Sequence, residues 1–361
     1  MVLPTGSGKS LVLSKIAKES GQPVLIFQPT KEILEQNYEK LTNYGAMGVG
    51  VYSASAGRKE IENITLATIG SVFRRPEFFK QFKHIIIDEC HLTNAKGGMY
   101  KGFVDVVGEK LIGLTATPYR LSHDGFGGSI LKFLTRTRPR VFHKVIHVTQ
   151  VAELAEQGFL SKNDYYPLKG FDRRSLVLNS TGADYKDESV QDYYSKISFN
   201  KRIVQVVDRL LEIGRKKILV FTKFVDEAEE LANKMGDHCK FVHGEMHKKE
   251  RAEVINSFRN GDTSVVCNVG VLSIGFDFPE LDSVVLARPT RSLALYYQLV
   301  GRVVRPHPDK ENSMIVDLCG NYNAFGRIED LKLVEDREGI WYVDSNGRQL
   351  TNVYLDEIPS L

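Results

Sequence analysis

The chain has 361 residues, of which 42% are hydrophobic and 26% charged, and its net charge is +3. That length is too great for one ordinary core and suits two domains. There is no apolar run long enough to span a bilayer and no signal peptide, which points to the cytoplasm and argues against a membrane role. The weak positive charge permits nucleic-acid binding through local patches without requiring it. Cys90, Cys239, Cys267 and Cys319 stand far apart with no C-x-x-C spacing, so neither a zinc site nor a disulfide framework is expected.

Residues 3–10 read Leu-Pro-Thr-Gly-Ser-Gly-Lys-Ser, a phosphate-binding loop. Across Thr5, Gly6, Ser7 and Gly8 the backbone N–H groups can close around phosphate oxygens. Lys9 then reaches the β/γ-phosphates and Ser10 can hold Mg²⁺. The match is not strict, because Leu3 stands where the first glycine would be. Such a loop ordinarily follows a buried strand, and only Met1, Val2 and Leu3 precede it. Three residues predict a poorly supported strand and a missing upstream segment.

Four short apolar runs follow: Val24 to Phe27, Ile64 to Ala67, His84 to Ile87 and Leu111 to Leu114. Helix-compatible stretches separate them. Continuous apolar runs fit parallel strands buried on both faces, so residues 1–167 read as a doubly wound α/β domain. Ligand sites then lie at the carboxyl ends of the strands. The third run ends in Asp88-Glu89-Cys90-His91. Phosphoryl chemistry needs a carboxylate for Mg²⁺ and a group that orients the attacking water, roles that suit Asp88 and Glu89. The fourth run leads into Thr115-Ala116-Thr117, whose hydroxyls can link a nucleotide site to an inter-domain cleft.

Residues 168–195 lose the pattern and collect Asp, Ser, Gly and Tyr, which reads as a linker. A second α/β series occupies 196–320. It predicts helices at 203–213, 226–235 and 247–259, and strands at 217–221, 240–242, 264–267, 283–287 and 313–317. Within it, Gln298-Leu-Val-Gly-Arg302-Val-Val-Arg305 presents two arginines three apart, on one face if the segment is helical. Arginines delivered across a cleft stabilise charge on a transferring phosphoryl group. Residues 321–361 form an extension in which Asn346-Gly347 signals a two-residue hairpin. Lys132, Arg136, Arg138, Arg140 and Lys144 make a basic stretch with no acid among them, and it reads equally as a solvated face or a duplex-binding surface.

Taken together, these motifs resemble the superfamily 2 helicases and translocases in order and spacing over residues 3–320. Leu3–Ser10 looks like motif I, Thr30-Lys31 lies in motif Ia, and Thr68 in the nucleic-acid motif after it. Asp88 to His91 matches motif II in its DECH form, and Thr115 to Thr117 matches motif III. Val220-Phe221-Thr222 looks like motif IV, Asn268 to Pro279 like motif V, and Gln298–Arg305 like motif VI. Within that group the RadD-like and phage-type DNA helicases are the most similar.

The resemblance implies two RecA-like domains with ATP and Mg²⁺ in the cleft between them. Arg302 and Arg305 would serve as arginine fingers, and His91 and Gln298 would couple hydrolysis to cleft closure. Gly275 and Asp277 would lie near the ribose and phosphates. Thr30, Lys31, Thr68 and Thr222 would touch a single strand through its phosphates. It further implies an ATP-dependent DNA helicase or translocase in repair, recombination or replication, working on single-stranded or branched DNA as a monomer. An RNA helicase, or a non-hydrolysing ATP-gated nucleic-acid clamp, remains the alternative, because backbone contacts do not separate DNA from RNA.

Overall fold

The computed structural model describes residues 1–108, 110–123, 128–272 and 278–359. Its contacts divide the chain into two units. The first comprises Met1–Arg120, Lys132–Gln150 and Leu333–Tyr342; the second comprises Leu121–Leu131, Val151–Lys332 and Val343–Leu361. No described helix is long and apolar enough to cross a membrane.

In the first unit the apolar runs become a six-stranded sheet. Its strands are β1 (Val24–Phe27), β2 (Val49–Ser53), β3 (Arg58–Lys59), β4 (Ile64–Ala67), β5 (His84–Asp88) and β6 (Lys110–Leu114), in the order β3-β2-β4-β1-β5-β6. All neighbours are parallel except β3, which runs antiparallel to β2. Side chains alternate between faces along each strand. Val24 and Ile26 therefore pack with Leu13, Leu34 and Leu41 from helices α1 (Lys9–Glu19) and α2 (Lys31–Asn43). Leu25 and Phe27 pack on the other face with Val72 of α3 (Ile69–Val72) and with Phe103 and Val107 of α4 (Met99–Val107). Both faces are thus covered, as a parallel sheet requires.

The segment before the phosphate loop is better supported than its length predicts. Val2 bridges Thr115 on one side and Val148 on the other, both in parallel. The Leu3 amide donates to the Thr115 carbonyl at 2.8 Å, and the Val2 amide to that of His147 at 2.8 Å. Val2 and Leu3 are buried. Pairing on both flanks supplies what run length does not show.

A two-stranded sheet of β7 (Tyr119–His123) and β8 (Ser129–Phe133) follows in the chain. The second unit holds another six-stranded sheet. Its strands are β9 (Asn163–Pro167), β10 (Ile218–Thr222), β11 (Cys239–His243), β12 (Val265–Val269), β13 (Ser283–Ala287) and β14 (Ser313–Asp317), in the order β11-β12-β10-β13-β14-β9, all parallel. Strand β9 falls before the boundary placed at residue 167, yet it pairs along β14 from Asn163–Ser313 to Pro167–Asp317. It is an edge strand, half polar and ending in proline, which is where proline is tolerated.

Helices α5 (Val151–Glu156), α6 (Asp187–Lys196) and α7 (Phe199–Glu212) come next in the chain. Helix α6 falls inside the stretch that reads as a linker. Its Val190 and Tyr194 are buried in the core of the second unit together with Leu176 and Tyr185. Strands β15 (Leu331–Glu335), β16 (Trp341–Ser345) and β17 (Arg348–Gln349) form a final three-stranded sheet. Ser345 pairs with Arg348 across Asn346-Gly347, whose φ angles of 53° and 81° are those of a type I′ turn.

Candidate active site

The phosphate loop turns between Val2-Leu3 and α1. Gly6 and Gly8 take φ angles of 87° and 74°, left-handed values that glycine adopts at no steric cost. The Ser7 hydroxyl donates to the Pro4 carbonyl at 2.8 Å and tightens the turn. Gly8 caps α1 without a side chain to bond its amides, and its carbonyl accepts from the Leu11 amide at 2.8 Å, so the capacity of the first amides lies toward the loop. A helix start of this kind suits an anion.

Lys9, on the first turn of α1, reaches the end of β5. Its Nζ donates to Glu89 Oε1 at 2.6 Å and lies 3.9 Å from Asp88 Oδ1. The position of Glu89 is unusual, with φ at +49°, an outlier of the sort that clusters at functional sites. Burial pushes Glu89 upward, but the Lys9 ammonium and the His91 ring outweigh it and hold the carboxyl well below its ordinary range. Asp88 responds differently. Burial raises it to about 6 against the pull of Lys9, and the neighbouring Glu89 charge adds to the rise. For Lys9, burial works to lower its pKa, but Glu89 and Asp88 prevail and raise it.

From Glu89 a polar chain continues along the carboxyl edge. His91 Nδ1 lies 3.3 Å from Glu89 Oε2 and 2.8 Å from Thr115 Oγ1. Thr115 Oγ1 in turn accepts from the Thr117 amide at 3.0 Å. The Thr117 hydroxyl is buried without a hydrogen-bond partner among the described residues. Cys90 is a packing residue rather than a reactive one: it is buried, and burial pushes its thiol up to about 12. It sits against Gly113 of β6, where a Cβ would fall 2.6 Å from Cys90 Sγ.

Two further residues join the site: Asn37, which no motif flags, and Gln28, which lies in the motif Ia stretch Phe27–Lys31 with no role assigned to it there. Ser10 Oγ donates to Asn37 Oδ1 at 2.7 Å. Asn37 Nδ2 donates to Gln28 Oε1 at 3.0 Å and to Asp88 Oδ2 at 3.4 Å. Asn37 lies on the buried stripe of α2 between Leu34 and Leu41, and that polar interruption is the signal sequence reading had available. Ser10 and Asp88 offer hard oxygen donors tied to one side chain, a donor set that fits Mg²⁺.

The remaining predicted residues lie elsewhere. Thr30 and Thr68 follow the carboxyl ends of the adjacent strands β1 and β4. Thr30 Oγ1 accepts from the Ile33 amide at 3.3 Å and caps α2, while Lys31 pairs with Glu35 at 3.3 Å. Thr68 Oγ1 joins a hydroxyl cluster with Ser53 at 3.0 Å and Ser71 at 2.9 Å. Thr222, at the end of β10, is fully buried, and its hydroxyl has no hydrogen-bond partner among the described residues. Helix α8 (Val225–Met235) and helix α9 (Lys248–Asn260) lie further along the second unit.

Gln298 lies on helix α10 (Leu293–Val300), and Arg302 Nε donates to its carbonyl at 3.1 Å. The helix ends at Val300, so Arg302 lies in the turn that follows and Arg305 in a bend beyond it, rather than both on one helical face. That turn is pinned from below: Val303 carbonyl accepts from Lys310 Nζ at 2.7 Å and Ser313 Oγ at 2.6 Å. Burial lowers the pKa of the Arg305 guanidinium. Gly275 and Asp277 lie outside the described residues.

Two family models match this chain. One, described as "Type III restriction enzyme, res subunit", covers residues 1–120; the other, "Helicase conserved C-terminal domain", covers 201–307. A 51.5 kDa protein of a Lactococcus phage is 28% identical over 331 residues, covering 90% of this chain and 66% of that protein. The DNA 3'-5' helicase XPB of Mycobacterium tuberculosis is 25% identical over 325 residues, covering 86% of this chain and 55% of the relative. The chain therefore spans less than two thirds of either relative. The ATP-dependent Type ISP restriction-modification enzyme LlaBIII bound to DNA shares the fold, with a TM-score of 0.61 at 17% identity over 88% of this chain and 26% of that one.

Proposed function

We propose that this chain is a superfamily 2 helicase that hydrolyses ATP in response to DNA and uses the energy to move along or unwind it. The observation that carries the reading is the meeting of Lys9, Asp88 and Glu89 at the carboxyl edge of the first sheet, directly behind the phosphate loop. A relative named as a DNA helicase supports DNA over RNA as the partner.

The chemistry follows from the residues. The amides of Gly6 to Ser10 bind the triphosphate, and Lys9 neutralises its outer phosphates. Lys9 is engaged with Glu89, so an arriving phosphate competes for the ammonium and frees the carboxylate. Glu89 is ionised at neutral pH and accepts hydrogen bonds from water, which suits it to orient the attacking molecule. Ser10 and Asp88 would hold Mg²⁺, which supplies positive charge against the β/γ-phosphates. His91, Thr115 and Thr117 carry a displacement of Glu89 along the sheet edge through consecutive hydrogen bonds. By their resemblance to motif VI, Arg302 and Arg305 would add positive charge toward the transferring phosphoryl group.

Thr30, Lys31 and Thr68 contact strand phosphates without reading sequence. The motif layout needs only one copy of the chain, which we take to act as a monomer. Repair, recombination or replication are the settings in which branched or single-stranded DNA arises.

Release of a labelled strand from branched DNA tests the reading. Release should require hydrolysable ATP and fail with Glu89→Gln. Release only from RNA substrates would transfer the assignment to the RNA alternative, and release without ATP would end it.

A further inference from the structure

Helix α2 buries three residues on one stripe, Leu34, Asn37 and Leu41. A leucine would suit the middle position by pattern, and burying an amide there is costly unless every bond is made. Asn37 is 4% exposed, and its two ends are used in opposite senses. Oδ1 accepts the Ser10 hydroxyl proton at 2.7 Å, which leaves the serine oxygen's lone pairs available. Nδ2 donates to Asp88 Oδ2 at 3.4 Å and to Gln28 Oε1 at 3.0 Å, and Gln28 is itself fully buried. One rigid amide thus fixes a hydroxyl from the phosphate loop and a carboxylate from the end of β5.

We infer that Asn37 is a positioning residue for the divalent cation: it turns the oxygens of Ser10 and Asp88 toward a shared Mg²⁺ and sets how tightly that ion is held. The inference rests on the reading that Ser10 and Asp88 hold Mg²⁺. The amide must keep this orientation, since reversing it would place an N–H donor against the Ser10 hydroxyl and draw on the lone pairs the cation uses. Groups that orient metal ligands in this way carry about 10- to 100-fold in metal affinity.

The test is a Mg²⁺ titration of the binding of a fluorescent ADP analogue to the full chain, for wild type, Ser10→Ala and Asn37→Leu. Binding without metal is measured in parallel and reports an intact fold. Asn37→Leu should keep metal-free binding and move the Mg²⁺ midpoint upward by roughly 10- to 100-fold. If Ser10→Ala moves the midpoint and Asn37→Leu does not, the role of Asn37 is overturned and the metal site stands. If Ser10→Ala leaves the midpoint in place, the metal site itself is overturned and Asn37 loses its role with it. Should Asn37→Leu lose metal-free binding, Asn37→Ala places no branched side chain beside Ser10 and is read by the same criteria.

Discussion

Glu227 gives a stability prediction whose size follows from its surroundings. It stands on the first turn of α8, 5% exposed, with Oε2 accepting from the Lys223 amide at 3.2 Å and the Phe224 amide at 3.4 Å. Burial raises its carboxyl from 4.5 to about 8, against the pull of those two amides and of Lys223. The folded chain therefore binds this proton more tightly than the unfolded chain does. The resulting stability is fully present below pH 4.5, declines as pH rises, and is gone above about pH 8. Between pH 4.5 and 7 the decline is about 3 kcal/mol, from about 2.5 pH units at 1.36 kcal/mol each. The start of a helix favours the charged form, which makes that figure a ceiling.

Glu227→Gln keeps a carbonyl acceptor for both amides and cannot ionise. The variant should match wild type near pH 4.5 and exceed it at pH 8, with the second unit melting roughly 5–10 °C higher there. Thermal melts across that pH range, followed by circular dichroism, measure the difference. A constant difference between the two proteins at all pH values, or a less stable variant at pH 8, would refute the assignment.

Glu89→Gln should retain ATP and DNA binding while hydrolysis slows by roughly two to four orders of magnitude, and single-turnover kinetics separates the two effects. Arg305→Ala should lower the turnover rate about a thousandfold with a smaller change in nucleotide affinity, whereas a loss confined to affinity would make it a structural charge. Gly113→Ala should destabilise the first unit by about 1–3 kcal/mol, because the new methyl meets Cys90 Sγ and Phe142 Cε1 at 2.6 Å, and denaturant unfolding would register it.

Much of the fold was legible because parallel strands buried on both faces are written as unbroken apolar runs. Val24 to Phe27 and Ser283 to Ala287 are strands over the same bounds the runs gave. Elements without such runs escaped. Strand β2 is interrupted by Gly50, where a Cβ would meet the Glu60 carbonyl at 2.9 Å, so the glycine serves a close approach to β3's neighbourhood that no apolar count reveals. Strand β9 is an edge of Asn, Asp and Tyr, and α6 carries only Val190 and Tyr194 into the core.

At the site, the phosphate loop and the Asp88-Glu89 pair were legible because their spacing is dictated by phosphate chemistry. Asn37 and Gln28 were not, since each works through a neighbour and either residue type is common on a surface. The two arginines were placed by motif, but their helical face was not, because the helix stops at Val300.

The most direct test of the central claim is steady-state ATP hydrolysis by wild type and Lys9→Ala, each without nucleic acid and with single-stranded DNA. The account predicts turnover that DNA stimulates in wild type and that is abolished in Lys9→Ala with the fold intact. Equal turnover in the two proteins would contradict it.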